Sequence, residues 1–237
     1  MLCKRNLICR FTIAETPLMS FFLHILTTFG TITYLRYPIS VIIPAYFDYV
    51  WDNHSLKINA EFMRITTVPL LTKFFGQLDR YTANLHKVFK SKGGASGQKI
   101  SRIVAIADKR DDIHLKRDCV IKSLCVYLNE DITTLVKEFM DCNPVEAKRG
   151  ISETTLGIYA IRREGAGAEE NLGDVVVVIE GVMLLQRLKS ISFGVVILFR
   201  LIYALNLSYP KSLKFTFEFF QKVLMNLDGN KLSPKVL

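Results

Sequence analysis

Basic side chains concentrate in residues 87–117, and the chemistry they favour is contact with phosphate groups. This stretch has nine lysines and arginines against three aspartates, in a chain of formal net charge +9. Nucleic-acid binding is therefore one hypothesis. Its predicted contacts are Lys99, Arg102, Lys109 and Arg110. No helix-turn-helix, zinc-finger or RNA-recognition motif accompanies them, so a solvated basic surface is the alternative.

A glycine-rich stretch, Lys92-Gly-Gly-Ala-Ser-Gly97, lies within this basic region. Its composition predicts a flexible break between helices. The glycine spacing is similar to that of a phosphate-binding loop, but no predicted strand precedes it and the Gly-Lys-Ser/Thr ending is absent. We therefore predict no nucleotide-binding loop here.

Acidic side chains cluster in a second glycine-rich segment, and they are the residues that general acid–base chemistry would need. The cluster consists of Glu164, Glu169, Glu170, Asp174 and Glu180. No basic or metal-binding side chain is close to them in the sequence, so the pattern favours a solvated loop. We predict no catalytic, cofactor-binding or metal-ligating residue, and a protein that is not an enzyme.

The five cysteines (Cys3, Cys9, Cys119, Cys125 and Cys142) form no CxxC pair, and the four histidines are scattered. Neither set has the spacing of metal ligands. Reduced, buried thiols in an intracellular protein, cytoplasmic or nuclear, are the interpretation. With 50% hydrophobic and 22% charged residues among 237, the composition is that of a globular chain.

Residues 1–54 differ from the rest of the chain. Lys4, Arg5 and Arg10 precede two apolar patches within residues 18–47, a pattern similar to that of a signal anchor. Glu15, Arg36 and several Ser and Thr residues interrupt the pattern. A membrane-anchored protein held by residues 18–47 is therefore an alternative hypothesis, and a peripheral apolar segment of uncertain structure is the other interpretation.

Residues 55–143 are predicted to form a helical region. Apolar residues at three-and-four spacing predict helices over 68–89, 98–107, 111–128 and 132–140. Asp111 or Asp112 would cap the third of these helices. Pro144 and Gly150 bracket a predicted polar loop, which we take as a domain boundary.

Residues 150–237 are predicted to form a small α+β unit. Segments 156–162, 175–179 and 182–185 have β character, and helices are expected over 193–207 and 210–228. The fifteen residues of 193–207 fall short of the roughly 20 that cross a bilayer and include Arg200, so we expect a core helix with Arg200 at an edge, snorkelling or paired. The fold class is α+β, mainly helical: a helical region followed by about three strands packed on two C-terminal helices.

Several short motifs carry a family resemblance. Ile202-Tyr-Ala-Leu-Asn-Leu-Ser-Tyr-Pro-Lys211, Phe215-Thr-Phe-Glu-Phe-Phe-Gln-Lys222 and Tyr127-Leu-Asn-Glu-Asp131 resemble a family abundant in fish, whose members are mostly named sterile alpha motif domain-containing protein 3-like. The resemblance covers residues 55–237. It implies an N-terminal sterile alpha motif, which residues 1–54 do not match, and a small residue where Arg200 stands. It implies no catalytic, cofactor or metal site.

These observations lead to a non-catalytic protein-interaction module of unknown partner as the predicted function. Amphipathic helices are abundant, and no pattern of site chemistry accompanies them. Nucleic-acid association through residues 87–117 and membrane attachment through residues 18–47 remain the alternatives.

Overall fold

The computed structural model describes residues 62–63, 66–141, 144–165, 167, 172–204, 207–227 and 232–236. These residues fall within one compact unit, and they confirm the mainly helical α+β class. In chain order the elements are α1 (Leu70–Lys90), α2 (Gly94–Ala107), α3 (Ile113–Tyr127), α4 (Ile132–Leu135), β1 (Val136–Met140), α5 (Pro144–Ser152), β2 (Leu156–Arg162), β3 (Asp174–Ile179), β4 (Val182–Leu185), α6 (Ile191–Ala204), a 3₁₀ turn (Lys211–Leu213), α7 (Lys214–Phe219) and a π-helical turn (Phe220–Leu224).

The first three helices follow the predicted apolar spacing. Leu70, Phe74 and Leu78 are buried on one face of α1, and both α1 and α2 pack against α3. Of the two predicted caps for α3, Asp112 fills the position, because its carboxylate accepts from His114 N at 2.8 Å and Leu115 N at 3.3 Å. The predicted break at residues 92–97 is shorter than expected, since α2 already begins at Gly94.

The predicted helix over 132–140 is wrong in its second half. Only Ile132–Leu135 is helical, and Val136–Met140 forms strand β1. This strand pairs in parallel with β2, with Val136 opposite Ile158 and Met140 opposite Arg162. The backbone groups of residues 136–140 therefore bond to a strand that lies more than a dozen residues later, which local spacing does not reveal.

The sheet has four strands instead of about three, in the order β1-β2-β3-β4. Strands β2, β3 and β4 form an antiparallel meander, and the strand predicted over 182–185 is confirmed. β1 precedes the boundary predicted at 144–150 and β2 follows it, so one sheet joins the two predicted parts of the chain.

The predicted polar loop over 144–150 is a helix. Pro144 begins α5, and proline is well suited to a first helical turn because its missing N–H would have no intrahelical acceptor there. α5 connects the parallel strands β1 and β2. On this side of the sheet, Tyr159, Val176 and Val178 form a buried cluster with Phe139 and Ile151.

Helix α6 covers the opposite face of the sheet, as predicted. A side chain at Gly194 would meet Ile158 and Val175 at 3.4 Å, so the helix and the sheet are in close contact at this glycine. Arg200 is only 3% exposed. The predicted edge or snorkelling position is therefore wrong, and the side chain lies within the core.

The last predicted helix, over 210–228, is broken into three short helical segments between Lys211 and Leu224. Two polar residues of this segment, Glu218 and Gln221, are buried. Gln221 Oε1 accepts from Tyr209 Oη at 2.8 Å, and Glu218 Oε1 accepts from Ser233 N at 2.8 Å. The C-terminal segment and the chain before Pro210 thus supply the partners of these buried polar groups.

Candidate functional site

The four predicted nucleic-acid contacts lie on α2 and directly after it. Lys99 and Arg102 are exposed on the helix, whose buried positions are Gly97, Ile100 and Ala107. Lys109 and Arg110 are exposed in the connection to α3. The structure therefore keeps these four side chains in one short segment at the protein surface.

A shallow cleft of about 490 Å³ lies at the start of α2. Lys92 and Arg102 line it together with Gly93, Gly94 and Ser101. Gly94 has a φ of +67°, which glycine adopts without strain. A Cβ at Gly97 would lie 1.9 Å from the backbone oxygen of Lys92. Gly94 is thus favoured by its backbone conformation and Gly97 by close backbone approach.

Other basic residues of the 87–117 region have structural partners. Arg117 donates to both carboxylate oxygens of Asp79, at 2.9 and 2.6 Å, and its guanidinium lies 4.4 Å from the Phe75 ring centre. The hydrogen bond to Asp79 raises the pKa of Arg117. Lys116 contacts Asp111 at 2.6 Å. The nine basic residues are therefore divided between helix packing and open surface.

Asp118 is a buried carboxylate at the centre of the helical packing. It is 5% exposed on α3 and accepts from the backbone nitrogens of Ile191 at 3.1 Å and Ser192 at 2.7 Å. Burial raises its pKa, and the hydrogen bonds from Ser192 and Ile191 oppose that shift. Asp118 thus supplies acceptors for the first N–H groups of α6 from a distant helix. Its position within an apolar helix face was the only sequence signal.

Glu130 has the same role at the start of α7. Its two carboxylate oxygens accept from Phe215 N at 2.7 Å and Thr216 N at 2.8 Å. A carboxylate at a helix start satisfies unpaired N–H groups and interacts favourably with the helix dipole. The sequence alone indicated no contact for Glu130.

Glu138 joins the sheet to α3. It pairs with Lys122 and with Arg162, whose Nε lies 2.8 Å from Glu138 Oε2. Burial alone would raise the pKa of Glu138, but the charges and hydrogen bonds of Lys122 and Arg162 outweigh it and hold the pKa below its ordinary value. These three carboxylates connect separate elements of the fold.

Cys119 and Cys125 are free and buried, as predicted for thiols of the core. Burial raises the pKa of Cys119 to about 11 and that of Cys125 to about 12, so both remain thiols at neutral pH. Within the part of the chain that the structure describes, no group of three or more His, Cys, Asp or Glu residues could hold a metal ion.

Strand β4 forms one edge of the sheet, hydrogen-bonded to β3 on its inner side. Its sequence, Val-Met-Leu-Leu, is wholly apolar, and Met183 is 47% exposed. Such an edge presents backbone donors and acceptors that can pair with another strand.

The hypothesis of a membrane segment at residues 18–47 lies outside the described residues. None of the described helices is long and apolar enough to span a membrane.

Within the acidic cluster of the sequence, Asp174 accepts from Arg187 N at 2.5 Å, and Glu180 is exposed beside β4.

No protein-family model, curated protein or solved structure matches the chain. The resemblance to the sterile alpha motif domain-containing protein 3-like family therefore stays a prediction.

Proposed function

We propose that the chain is a non-catalytic protein-interaction module of the cytoplasm or nucleus, and that it binds an extended segment of its partner at the β4 edge. The observation that carries this proposal is the apolar edge strand with its exposed Met183. A partner strand added there would satisfy the outer backbone groups of β4, while alternate side chains of the partner would contact Met183.

The roles of Asp118, Glu130 and Glu138 support the same proposal. Asp118 and Glu130 hold helix starts, and Glu138 holds two basic side chains. These three carboxylates bond to other elements of the fold. The exposed apolar edge of β4, in contrast, is suited to a protein partner. A hydrolase or transferase activity that a single substitution abolishes would contradict a non-catalytic role.

The test combines cross-linking with measured affinity. Photoreactive methionine at position 183 of the full chain identifies the bound protein, which is then purified and titrated calorimetrically. Met183→Lys should weaken binding about tenfold or more, because a lysine on an edge strand opposes strand addition. Lys148→Glu, at an exposed position of α5, is the control and should leave the affinity unchanged. Equal affinity for Met183→Lys and the native chain would refute the proposal.

Nucleic-acid association through α2 is a second candidate, favoured by the position of Arg102 and Lys92 on one cleft beside exposed Lys99. The double variant Lys99→Gln/Arg102→Gln should reduce the dependence of duplex affinity on salt, lowering the slope of log K against log salt by about 2 if both contact phosphates. Lys148→Gln/Lys189→Gln removes the same charge from other exposed positions. Equal slopes for the two variants would exclude a specific interface on α2.

A further inference from the structure

We propose that a cleft of about 600 Å³ at one end of the sheet binds a small zwitterion, a molecule with one carboxylate and one amino group, with Lys137 as the carboxylate-binding residue. The cleft lies where β1 and β2 begin and β3 ends. Its walls include Thr134, Lys137, Thr155, Glu180 and Ser212. Its volume is within the range of sites that enclose small molecules.

Lys137, Thr154 and Tyr159 form a hydrogen-bonded cluster beside this cleft. Lys137 Nζ lies 2.9 Å from Thr154 Oγ1 and 3.3 Å from Tyr159 Oη. The two hydroxyl oxygens are 2.7 Å apart. Thr154 and Tyr159 are 6% and 1% exposed, so both hydroxyl groups lie on buried side chains.

The protons of this cluster can be assigned from its geometry. Thr154 Oγ1 donates its proton to the backbone oxygen of Gly150 at 2.8 Å. Tyr159 therefore donates to Thr154, and both hydroxyls accept from Lys137. Because an ammonium group has three donors, one N–H of Lys137 is left for a group in the cleft.

Among the described residues, no carboxylate compensates the charge of Lys137. No carboxylate of the described residues lies within ion-pair distance of its Nζ; the nearest polar atoms are neutral hydroxyls. A part-buried ammonium among neutral groups favours an anion, and a carboxylate can accept the remaining N–H as a charge-assisted hydrogen bond.

The acidic residues of the cleft restrict the charge of the ligand that can bind there. Glu153 and Glu180 both line it; Glu153 pairs with Arg149 at 3.2 Å, whereas Glu180 is exposed and makes no ion pair with a described residue. Two carboxylates repel a multiply charged anion such as phosphate. Glu180 instead offers an acceptor to an amino group, which is why a zwitterion suits the site better than a simple anion.

The surrounding hydroxyls can complete the recognition of a carboxylate. Thr134, Thr155 and Ser212 line the cleft, and their hydroxyls make no hydrogen bond to any residue that the structure describes. The backbone nitrogens of Glu180 and Gly181 bond to the oxygens of Thr155 and Thr154 at 2.8 and 2.9 Å. The wall is thus fixed by backbone contacts while its side chains remain available.

The test is an NMR titration of the ¹⁵N-labelled full chain with L-alanine, and in parallel with acetate. L-Alanine should cause saturable shifts of the Thr154, Thr155 and Glu180 amides. Lys137→Gln should weaken its binding about tenfold or more, the effect of losing one charge-assisted hydrogen bond. Lys148→Gln is the control, because Lys148 is exposed on α5 and does not line the cleft.

A second variant keeps the proposal testable if Lys137→Gln does not fold. Glu180→Gln should weaken L-alanine binding and leave acetate binding unchanged, because only the amino group uses Glu180. The absence of saturable shifts at these amides would overturn the proposal. So would equal affinities of Lys137→Gln and Lys148→Gln, or an equal effect of Glu180→Gln on both probes.

Discussion

Helices α2 and α3 are packed together, but their charges have opposite surroundings. Lys99 and Arg102 on α2 are exposed, whereas Asp118 on α3 is buried and bonded to the start of α6. A buried charge with fixed hydrogen bonds determines how elements are joined. An exposed charge contributes little to stability and is free to meet a ligand. Whether a charge joins elements of the fold or is available to a ligand therefore depends more on its burial than on the number of charges near it in the sequence.

The largest effect is expected at Asp118. Asp118→Ala should lower the free energy of unfolding by about 3 kcal/mol, because two buried N–H groups at the start of α6 lose their acceptor. Urea denaturation followed by circular dichroism measures the loss. Asp111→Ala, at an exposed carboxylate paired with Lys116, should change stability little. Similar losses of unfolding free energy in both variants would contradict the difference proposed between buried and exposed carboxylates.

Gly97 should give the next largest effect. Gly97→Ala places a Cβ 1.9 Å from the Lys92 backbone oxygen, and the required displacement should cost about 1–3 kcal/mol. Gly76→Ala is the matched control in α1, since nothing lies within 4 Å of its Cβ position. This control should stabilise the helix by about 0.5–1 kcal/mol. Opposite signs in thermal unfolding would show that backbone fit fixes the start of α2.

Glu138 predicts a dependence of stability on pH. Its pKa is lowered in the folded state, so the stability it contributes is present above its unfolded pKa and is lost as pH falls through the folded value. Glu138→Gln should cost about 1–2 kcal/mol at neutral pH, discounted for its partial exposure, and should flatten the acid limb of the stability curve. Urea midpoints measured from neutral to acidic pH provide the check.

Glu153→Gln provides the control for that pH series. Its pair with Arg149 lies at the surface, so the free energy of unfolding should change by about 0.5 kcal/mol or less. An acid limb as steep in Glu138→Gln as in the native chain would contradict the role assigned to Glu138.

The smallest effect is expected on α2. Lys99→Gln/Arg102→Gln should change the free energy of unfolding by about 0.5 kcal/mol or less, because both side chains are exposed. Chemical denaturation of this double variant and of Asp118→Ala compares the loss of two exposed charges with the loss of one buried carboxylate. A large loss in the double variant would mean that these charges support the fold and do not form an open surface.

Much of the fold follows from local patterns. The β-branched run Val175–Ile179 predicts a buried strand, and the apolar spacing in α1 predicts the face that packs on the core. The same reasoning misassigned residues 136–140, whose strand depends on β2. It also misassigned the segment after Pro144, because proline favours both a loop and a first helical turn.

The candidate sites were less accessible to sequence reasoning. Lys99 and Arg102 were found from charge density alone, since exposed basic residues leave a compositional signal. Lys137 and Tyr159 left none, because they are 22 residues apart and Lys137 lies in a segment predicted as a helix. Only the parallel pairing of β1 with β2, which places Lys137 opposite Tyr159, brings the ammonium to the hydroxyls.

The sequence by itself determined the helices α1, α2, α3 and α6, the strands β2 to β4 and the exposed basic character of α2, because these depend on side-chain type and spacing within a few residues. The tertiary structure decided strand β1, the caps that Asp118 and Glu130 provide, and the Lys137 cleft. Each of these depends on a backbone or side-chain group finding its hydrogen-bond partner far along the chain. That choice is made by packing, which excludes water and leaves each buried polar group dependent on the partner that the fold supplies.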